Sequence, residues 1–470
     1  PLPEPPREFR GVWVATVANI DWPSKKGLPA AEQRAEIARV LDMCQRVNLN
    51  AVVLQVRPSA DAIFPAGPEP WSEFLTGRSG QPPRPEYDPL AEWIKQAHAR
   101  GIEVHAWFNP FRARHIRAEH PDHATHVSKR RPEWVRSYDN YLWLDPGVAA
   151  AREHSLAVIM DVVNRYDIDG VHLDDYFYPY PKAGVPFPDS EPYNAYRAGG
   201  GTLDVAAWRR SNIDAFMREL YTRTKAAKPH VAVGISPFGI WRPGFPPGIQ
   251  GFDAYEQLAA DARRWLREGW LDYIAPQLYW PIEQAPQSYP RLLDWWIANN
   301  DQRRHIWGGN YTSRILAPDA TERSWEPKEI LDQIGVTRSR DLGPGGATGN
   351  IHFSAVALLQ NRRGVASMLA RGPYAIEAIP PAMPWLAPAN DPLPEPPEVR
   401  IQNGLIYPAV KTGAPPRWWV LQTFDGAGIR TQVRRADGSG LELPAGNVRW
   451  TVRGMDGARR LGPAGPVPSP

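Results

Sequence analysis

Two adjacent carboxylates, Asp174 and Asp175, stand in the string HLDDYFYPYP at 172–181. Side chains alternate along a strand, so a strand ending here points Val171 and Leu173 to one side and His172 and Asp174 to the other, with Asp175 where strand gives way to loop. Like charges in a partly desolvated cleft raise one another's pKa, which favours one protonated and one ionised group near neutral pH. Acid/base cleavage of a glycosidic bond needs that division of labour. Blander readings compete: one aspartate caps the following loop, or pairs with an arginine. A metal-dependent deacetylase would also use Asp, Asp and His, but no second histidine at ligand spacing joins them. His115, His120, His123 and His126 lie in a charged stretch and are expected in solvent. The expectation is therefore a site with no metal and no organic cofactor.

Other polar and aromatic residues fall at corresponding places. The second apolar run supplies Gln55 and Arg57, the third His105, Trp107 and Asn109, the sixth Gln277 and Tyr279, and the seventh Asn310 and Tyr311. A core made only for packing would use branched apolar residues there. The stretch RPSADAIFPAGPEPWSEFLTG adds Asp61, Glu69, Trp71 and Glu73, and later loops add Trp241, Arg242, Trp280 and Glu283. Aromatic faces stack on pyranose rings while carboxylates and amides grip hydroxyls, which suits a polysaccharide better than a phosphate or a nucleotide. The expected substrate-binding set is Arg57, Asp61, Trp71, Trp107, Asn109, His172, Tyr176, Trp241, Gln277, Tyr279, Trp280 and Asn310. The glycine-rich GPGGATG at 343–349 lacks the lysine and helix context of a phosphate loop and reads as a turn.

These residues need a frame that brings strand ends together. Short apolar runs at 9–17, 50–58, 102–110, 169–178, 231–239, 272–280, 305–311 and 349–358 alternate with amphipathic helical stretches. Eight such units predict an α/β fold, a (β/α)8 TIM-type barrel. In DPLAEWIKQAHARG, Asp88 is the expected N-cap, Pro89 opens the helix and Gly101 ends it; Asp145 and Pro146 are expected to repeat that cap before the next helix. Loops after strands are long and rich in Trp, Pro and Tyr, whereas turns before strands are short, which marks the loop-bearing end as the active face. The expected domains are a leader at 1–8, the barrel at 9–377, a proline-rich linker at 378–398 and a small all-β, fibronectin III-like sandwich at 399–470, whose Trp418 and Trp419 suit either a binding face or its core.

Composition narrows the rest. With 54 basic and 51 acidic residues, net charge +3 and no basic stripe, nucleic acid is not an expected partner. No segment approaches the ~20 apolar residues of a membrane span. A single cysteine excludes an internal disulfide, and Cys44 shares a helical stripe with Ile37, Leu41 and Val47. The opening PLPEPPREFR suits a tether behind a processed N-terminus.

The strings FRGVWVATVANIDWPS, VVLQVRPSADAIFP with EPWSEFLTG, HAWFNPFR, DGVHLDDYFYPYP, ISPFGIWRPG and DYIAPQLYW resemble the glycosyl-hydrolase-like family ten, across roughly residues 8–375. The resemblance implies a TIM-type barrel, usually exported, and hence an extracytoplasmic, periplasmic location. One branch implies an outer-membrane lipoprotein, lipid-anchored ahead of the leader, that cuts peptidoglycan strands stripped of their peptides. On an N-acetylated glycan, adjacent aspartates after the fourth strand are similar to those of O-GlcNAcase-type barrels, where the sugar's acetamido oxygen attacks the anomeric carbon. That likeness implies Asp174 at the acetamido group and Asp175 as acid/base, or the reverse order. Two alternatives stay open. One is a two-carboxylate mechanism on another polysaccharide, with Asp61, Asp189 or Glu283 as the acid. The other is a glycan-binding scaffold that has lost catalysis.

Overall fold

Eight parallel strands close into a cylinder in the computed structural model, which describes residues 2–388, 390–413, 415–446 and 448–465. They are β1 (Phe9–Val14), β2 (Ala51–Arg57), β3 (Glu103–Phe108), β4 (Gly170–Leu173), β5 (Ala232–Ile235), β6 (Tyr273–Ile274), β7 (His305–Asn310) and β8 (Ala347–His352). Each pairs with the next, and Phe9 of β1 meets Gly349 of β8 to complete the ring. Helices follow each strand, from Ala30–Val47 after β1 to Pro327–Arg338 after β7, with Ala355–Leu359 and Val365–Arg371 after β8. The fold is a (β/α)8 barrel, and each of the eight apolar runs overlaps one strand, β8 starting two residues ahead of its run.

Of the two helix starts expected from the sequence, one holds. Asp88 accepts from Ala91 N–H and Pro89 opens the helix Pro89–His98, as its sequence predicts. Asp145 does not cap the helix Ala149–Arg165: Val148 occupies that position, and Asp145 instead accepts from Gly147 N–H at 2.8 Å and pairs with Arg136 at 3.0 Å. Along that helix Leu156, Ile159 and Val163 are buried, while Met160 is half-buried.

Strand alternation splits the core into two shells. Val52, Leu54, Val104, Val171, Leu173, Val233 and Ile235 face the helices. Phe9, Trp13, Val53, Trp107, Tyr273, Trp307 and Ile351 fill the lumen. Phe9 lies flat on Trp307, centroids 3.5 Å apart, and Tyr273 stacks on the same indole at 4.0 Å. Such bulk leaves no room for side chains opposite. A Cβ on Gly234 would stand 2.0 Å from Tyr273, and one on Gly170 would stand 2.4 Å from His105.

Two additions complete the molecule. After β3 the chain forms a small antiparallel sheet from Arg112–Arg114, Val135–Tyr138 and Tyr141–Leu144, above the loop-bearing end. At the opposite end, two three-stranded antiparallel sheets form an all-β unit: Glu398–Gln402, Leu405–Ala409 and Leu441–Glu442 in one, and Trp418–Phe424, Ile429–Arg435 and Arg449–Met455 in the other. Trp419, Leu421, Ile406 and Val452 form a core between them, and Trp418 is buried edge-on against His98 of the barrel. The preceding segment is packed as well, with Met383 and Leu386 sealing the lower mouth of the lumen. Arg417 pairs with Asp169 at 2.7 Å and Asp167 at 2.8 Å, and Arg459 grips Glu103 at 2.6 Å. No helix of the described residues is long and apolar enough to cross a membrane.

Candidate active site

Asp174 follows the last residue of β4 with the same parity as His172, so its carboxyl stands above the imidazole at the top of the lumen. Asp174 and Asp175 are each 6% exposed. Neighbouring strands fix Asp174: Asn109 Nδ2, just past β3, donates to Oδ2, and Trp107 Nε1 donates to the same oxygen at 3.2 Å. Asn109 is oriented in turn, since its Oδ1 accepts from Gln55 at 2.6 Å and from Arg112 at 3.1 Å. Oδ1 of Asp174 is buried with no hydrogen-bond partner. Asp175 is held on both oxygens, by Tyr180 Oη at Oδ2 and by Gln277 Nε2 at Oδ1, 3.1 Å away.

Electrostatics separate the two acids. Burial and then the charge of Asp175 push Asp174 up to about 7, against the lowering pull of Arg112, Asn109 and Trp107. Burial also raises Asp175, while hydrogen bonds from Tyr180 and Gln277 favour its anion. The pair therefore shares one proton near neutrality, and burial with the Asp175 charge favours its place on Asp174.

Both acids open onto a cavity of about 620 Å³. Its floor is Trp13, Gln55, Trp107 and Ser236, its far wall is Gln277, Tyr279 and Phe353, and its near wall comes from the small sheet, with Tyr138, Tyr141 and Trp143 facing Tyr176 and Tyr180. Tyr311 extends the far wall, stacked on Tyr279 at 4.8 Å. The near wall is tied down: Trp143 Nε1 donates to Phe177 O at 2.8 Å, Tyr138 Oη donates to Val185 O at 2.9 Å, and Lys182 pairs with Asp139. Arg112 braces it with its guanidinium 5.3 Å from the Tyr176 ring centre. Flat aromatic walls around two acids can clamp a sugar ring and protonate its bridging oxygen.

The structure brings together Asp174, Asp175, Trp107, Asn109, Tyr176, Gln277 and Tyr279 of the sequence-predicted set, with His172 beneath them. It does not bring the others. The β2–β3 register shifts between Gln55 and Arg57, and Arg57 turns into a fully buried pair with Glu69, Nε to Oε2 2.8 Å and Nη2 to Oε1 2.5 Å. Burial raises Glu69, but Arg57 and His154 outweigh it and hold it at about 2. Asp61 is buried beside Ser59 and lines a separate, smaller hollow. Asn310 has the parity of Ile306 and faces a helix, where it donates to Gln333 at 2.8 Å. Trp71 and Trp280 pack on the outer core, and Trp241 stacks on Trp295 at 5.6 Å. Of the alternative acids, Asp189 is locked to Arg209 at 2.6 Å and Glu283 is exposed outside the cavity.

The sequence reading missed Trp13, Arg112, Tyr138, Tyr141, Trp143 and Tyr180. A signal existed: VRSY and YLWL flank Asp139–Asn140, a two-residue hairpin turn, and Asp139 takes φ 53° there. His115 and His126 are not solvated as expected. His115 lines the cavity and is pushed down to about 3 by burial, with Arg112 and Arg117 adding to it; His126 is buried and accepts from Ser128 N–H at 3.1 Å. Among the described residues, Glu73, Glu119 and His120 are close enough to share an ion, but Lys26 Nζ already bridges the two glutamates at 2.8 and 3.3 Å.

Comparison with known proteins decides the family. The family model described as glycosyl hydrolase-like 10 matches residues 8–327. The chain belongs to the glycosyl hydrolase-like 10 family. Within it, the chain is similar to glycosyl hydrolase YngK of Bacillus subtilis, 42% identical over 392 residues that cover 81% of this chain and 74% of that protein. It is also similar to glycosyl hydrolase DigH of Escherichia coli K12, 35% identical over 338 residues, 67% of this chain and 76% of that protein. Among solved structures, the glycoside hydrolase domain of PgaB from Bordetella bronchiseptica shares the barrel fold, with TM-score 0.51 at 14% identity over 77% of this chain and 98% of that one. For this glycosyl hydrolase-like 10 chain, hydrolase chemistry agrees with the acids at the top of β4.

Proposed function

We propose that this protein is a glycoside hydrolase of an N-acetylated bacterial cell-wall glycan, the peptide-free peptidoglycan strand, and that it acts outside the cytoplasmic membrane, where such a glycan lies. The observation that carries the reading is the unequal, coupled pair of buried acids inside an aromatic cavity. The substrate class follows the family resemblance. The unpartnered Oδ1 of Asp174 supports the mechanism: no group of the protein competes for it, so once ionised it is free to accept the N–H of a 2-acetamido group. Only an ionised Asp174 can accept that N–H, so substrate arrival moves the shared proton toward Asp175. Asp174 then orients the acetamido oxygen to attack the anomeric carbon, and Asp175 protonates the departing glycosidic oxygen.

Asp174→Asn and Asp175→Asn separate the roles. Both should lower turnover of denuded glycan strands by about 10²–10⁴, and an aryl glycoside with an acidic leaving group should restore only Asp175→Asn. Restoration of Asp174→Asn instead would reverse the two roles. Undiminished cleavage by both variants would remove the assignment, and failure of an oxazoline mimic to inhibit would remove the acetamido step.

A further inference from the structure

A single file of buried polar groups runs down the barrel axis from the floor of the cavity to the lower mouth. Trp13 Nε1 carries one hydrogen and donates it to His172 Nε2 at 3.1 Å, so the proton of that ring sits on Nδ1. Nδ1 lies 2.9 Å from Tyr273 Oη, which accepts it and turns its own hydrogen to His105 Nδ1, also 2.9 Å away. The proton of His105 therefore sits on Nε2, 3.1 Å from Glu103 Oε2. Arg459 closes the file, Nε to Oε1 2.6 Å and Nη2 to Oε2 2.8 Å. Every member is 3% exposed or less. All but Arg459 belong to barrel strands; Arg459 follows the strand Arg449–Met455 of the all-β unit, with φ at +60°, a costly conformation for a side chain with a Cβ.

We propose that Arg459 is a positioning residue for the active site, which sets the direction of every hydrogen bond in this file and so holds the cavity floor. The upper end carries the effect. His172 Nε2 also lies 3.1 Å from Ser236 Oγ, and the Ser236 carbonyl accepts at 3.0 Å from the Gln277 nitrogen that holds Asp175. The ring of His172 is neutral, since burial holds it well below its ordinary range. Without the guanidinium, Glu103 becomes an unpaired buried carboxylate and takes up a proton. A protonated Glu103 donates to His105 Nε2, and each bond above it then reverses. His172 ends with a hydrogen on Nε2, facing the indole N–H of Trp13, and two donors cannot share that position.

The test reads the tautomers directly, with ¹⁵N-histidine protein and signals assigned by loss in single-histidine variants. Wild-type protein should show Nδ1–H at His172 and Nε2–H at His105. Arg459→Met should reverse both and lower kcat about tenfold, with KM little moved, while Arg459→Lys keeps the cation and restores both. Should Arg459→Met fail to fold, Arg459→Gln, which removes the cation but keeps a polar side chain facing Glu103, carries the same expectation. An Nε2–H tautomer at His172 in wild-type protein, unchanged tautomers in the variants, or reversed tautomers with full turnover would each overturn the proposal. Only its turnover readout rests on the glycosidase reading. The nitrogen shifts are read without substrate, so a wild-type protein inactive on glycan would fail that reading alone.

Discussion

Replacing Asp174 with asparagine should stabilise the protein even as it removes activity, and the gain should grow with pH. Burial and the charge of Asp175 lift Asp174 from 3.8 to about 7. Between those values the native protein keeps a proton that the unfolded chain has released, so stability falls as pH rises from about 4 to about 7 and is level above. Each unit costs ~1.4 kcal/mol, which makes about 3 kcal/mol between pH 5 and pH 8. Asparagine cannot ionise, yet it keeps an oxygen for Asn109 and Trp107. Unfolding entropy of about 2.1 cal/mol/K per residue over 470 residues is ~1 kcal/mol/K. The Tm of Asp174→Asn minus that of wild type should therefore rise by roughly 3 °C between the two buffers. Paired calorimetric scans suit the question, because the difference between the two proteins cancels every other titrating group except Asp175, whose relief from repulsion acts in the same direction. A Tm difference that stays flat or shrinks with pH would refute the placement of the shared proton.

Two further outcomes follow from buried contacts. Glu69→Gln leaves Arg57 charged and unpaired and should cost about 3–5 kcal/mol in chemical denaturation. Since Glu69 is held at about 2, the pair stabilises wild type above pH ~4.5 and is lost as the solution is acidified toward 2, a sensitivity the variant should lack; KM for glycan should not change, because the pair lies outside the cavity. Gly234→Ala sets a methyl 2.0 Å from Tyr273 and should cost at least ~3 kcal/mol, read as lost soluble yield or a lowered Tm; a wild-type melting curve would contradict the packing of the lumen.

The barrel was legible because its units repeat the same signals, an apolar run, a loop and an amphipathic helical stretch. Asp174, Trp107 and Asn109 were legible because strand parity aims a side chain without any tertiary knowledge. The same reasoning failed where its premise did. A register shift at the end of β2 turned Arg57 outward, and Asn310 sits one residue out of phase with the lumen-facing Trp307. Loop aromatics such as Trp71, Trp241 and Trp280 carry no period, so nothing in the sequence distinguishes a cavity wall from a packed surface. The near wall was hidden for a related reason: its three strands have three or four residues each, too short for alternation to stand out.

The plug made by Met383 and Leu386 also fixes an order of events during synthesis. All eight strands leave the ribosome before it does, so a nascent cylinder can close while its lower mouth is still wet and its stacked rings are open to solvent from below. The barrel reaches its dry, finished state only when later-made residues arrive, and a chain stalled before residue 383 would carry both aspartates on a scaffold that is not yet set.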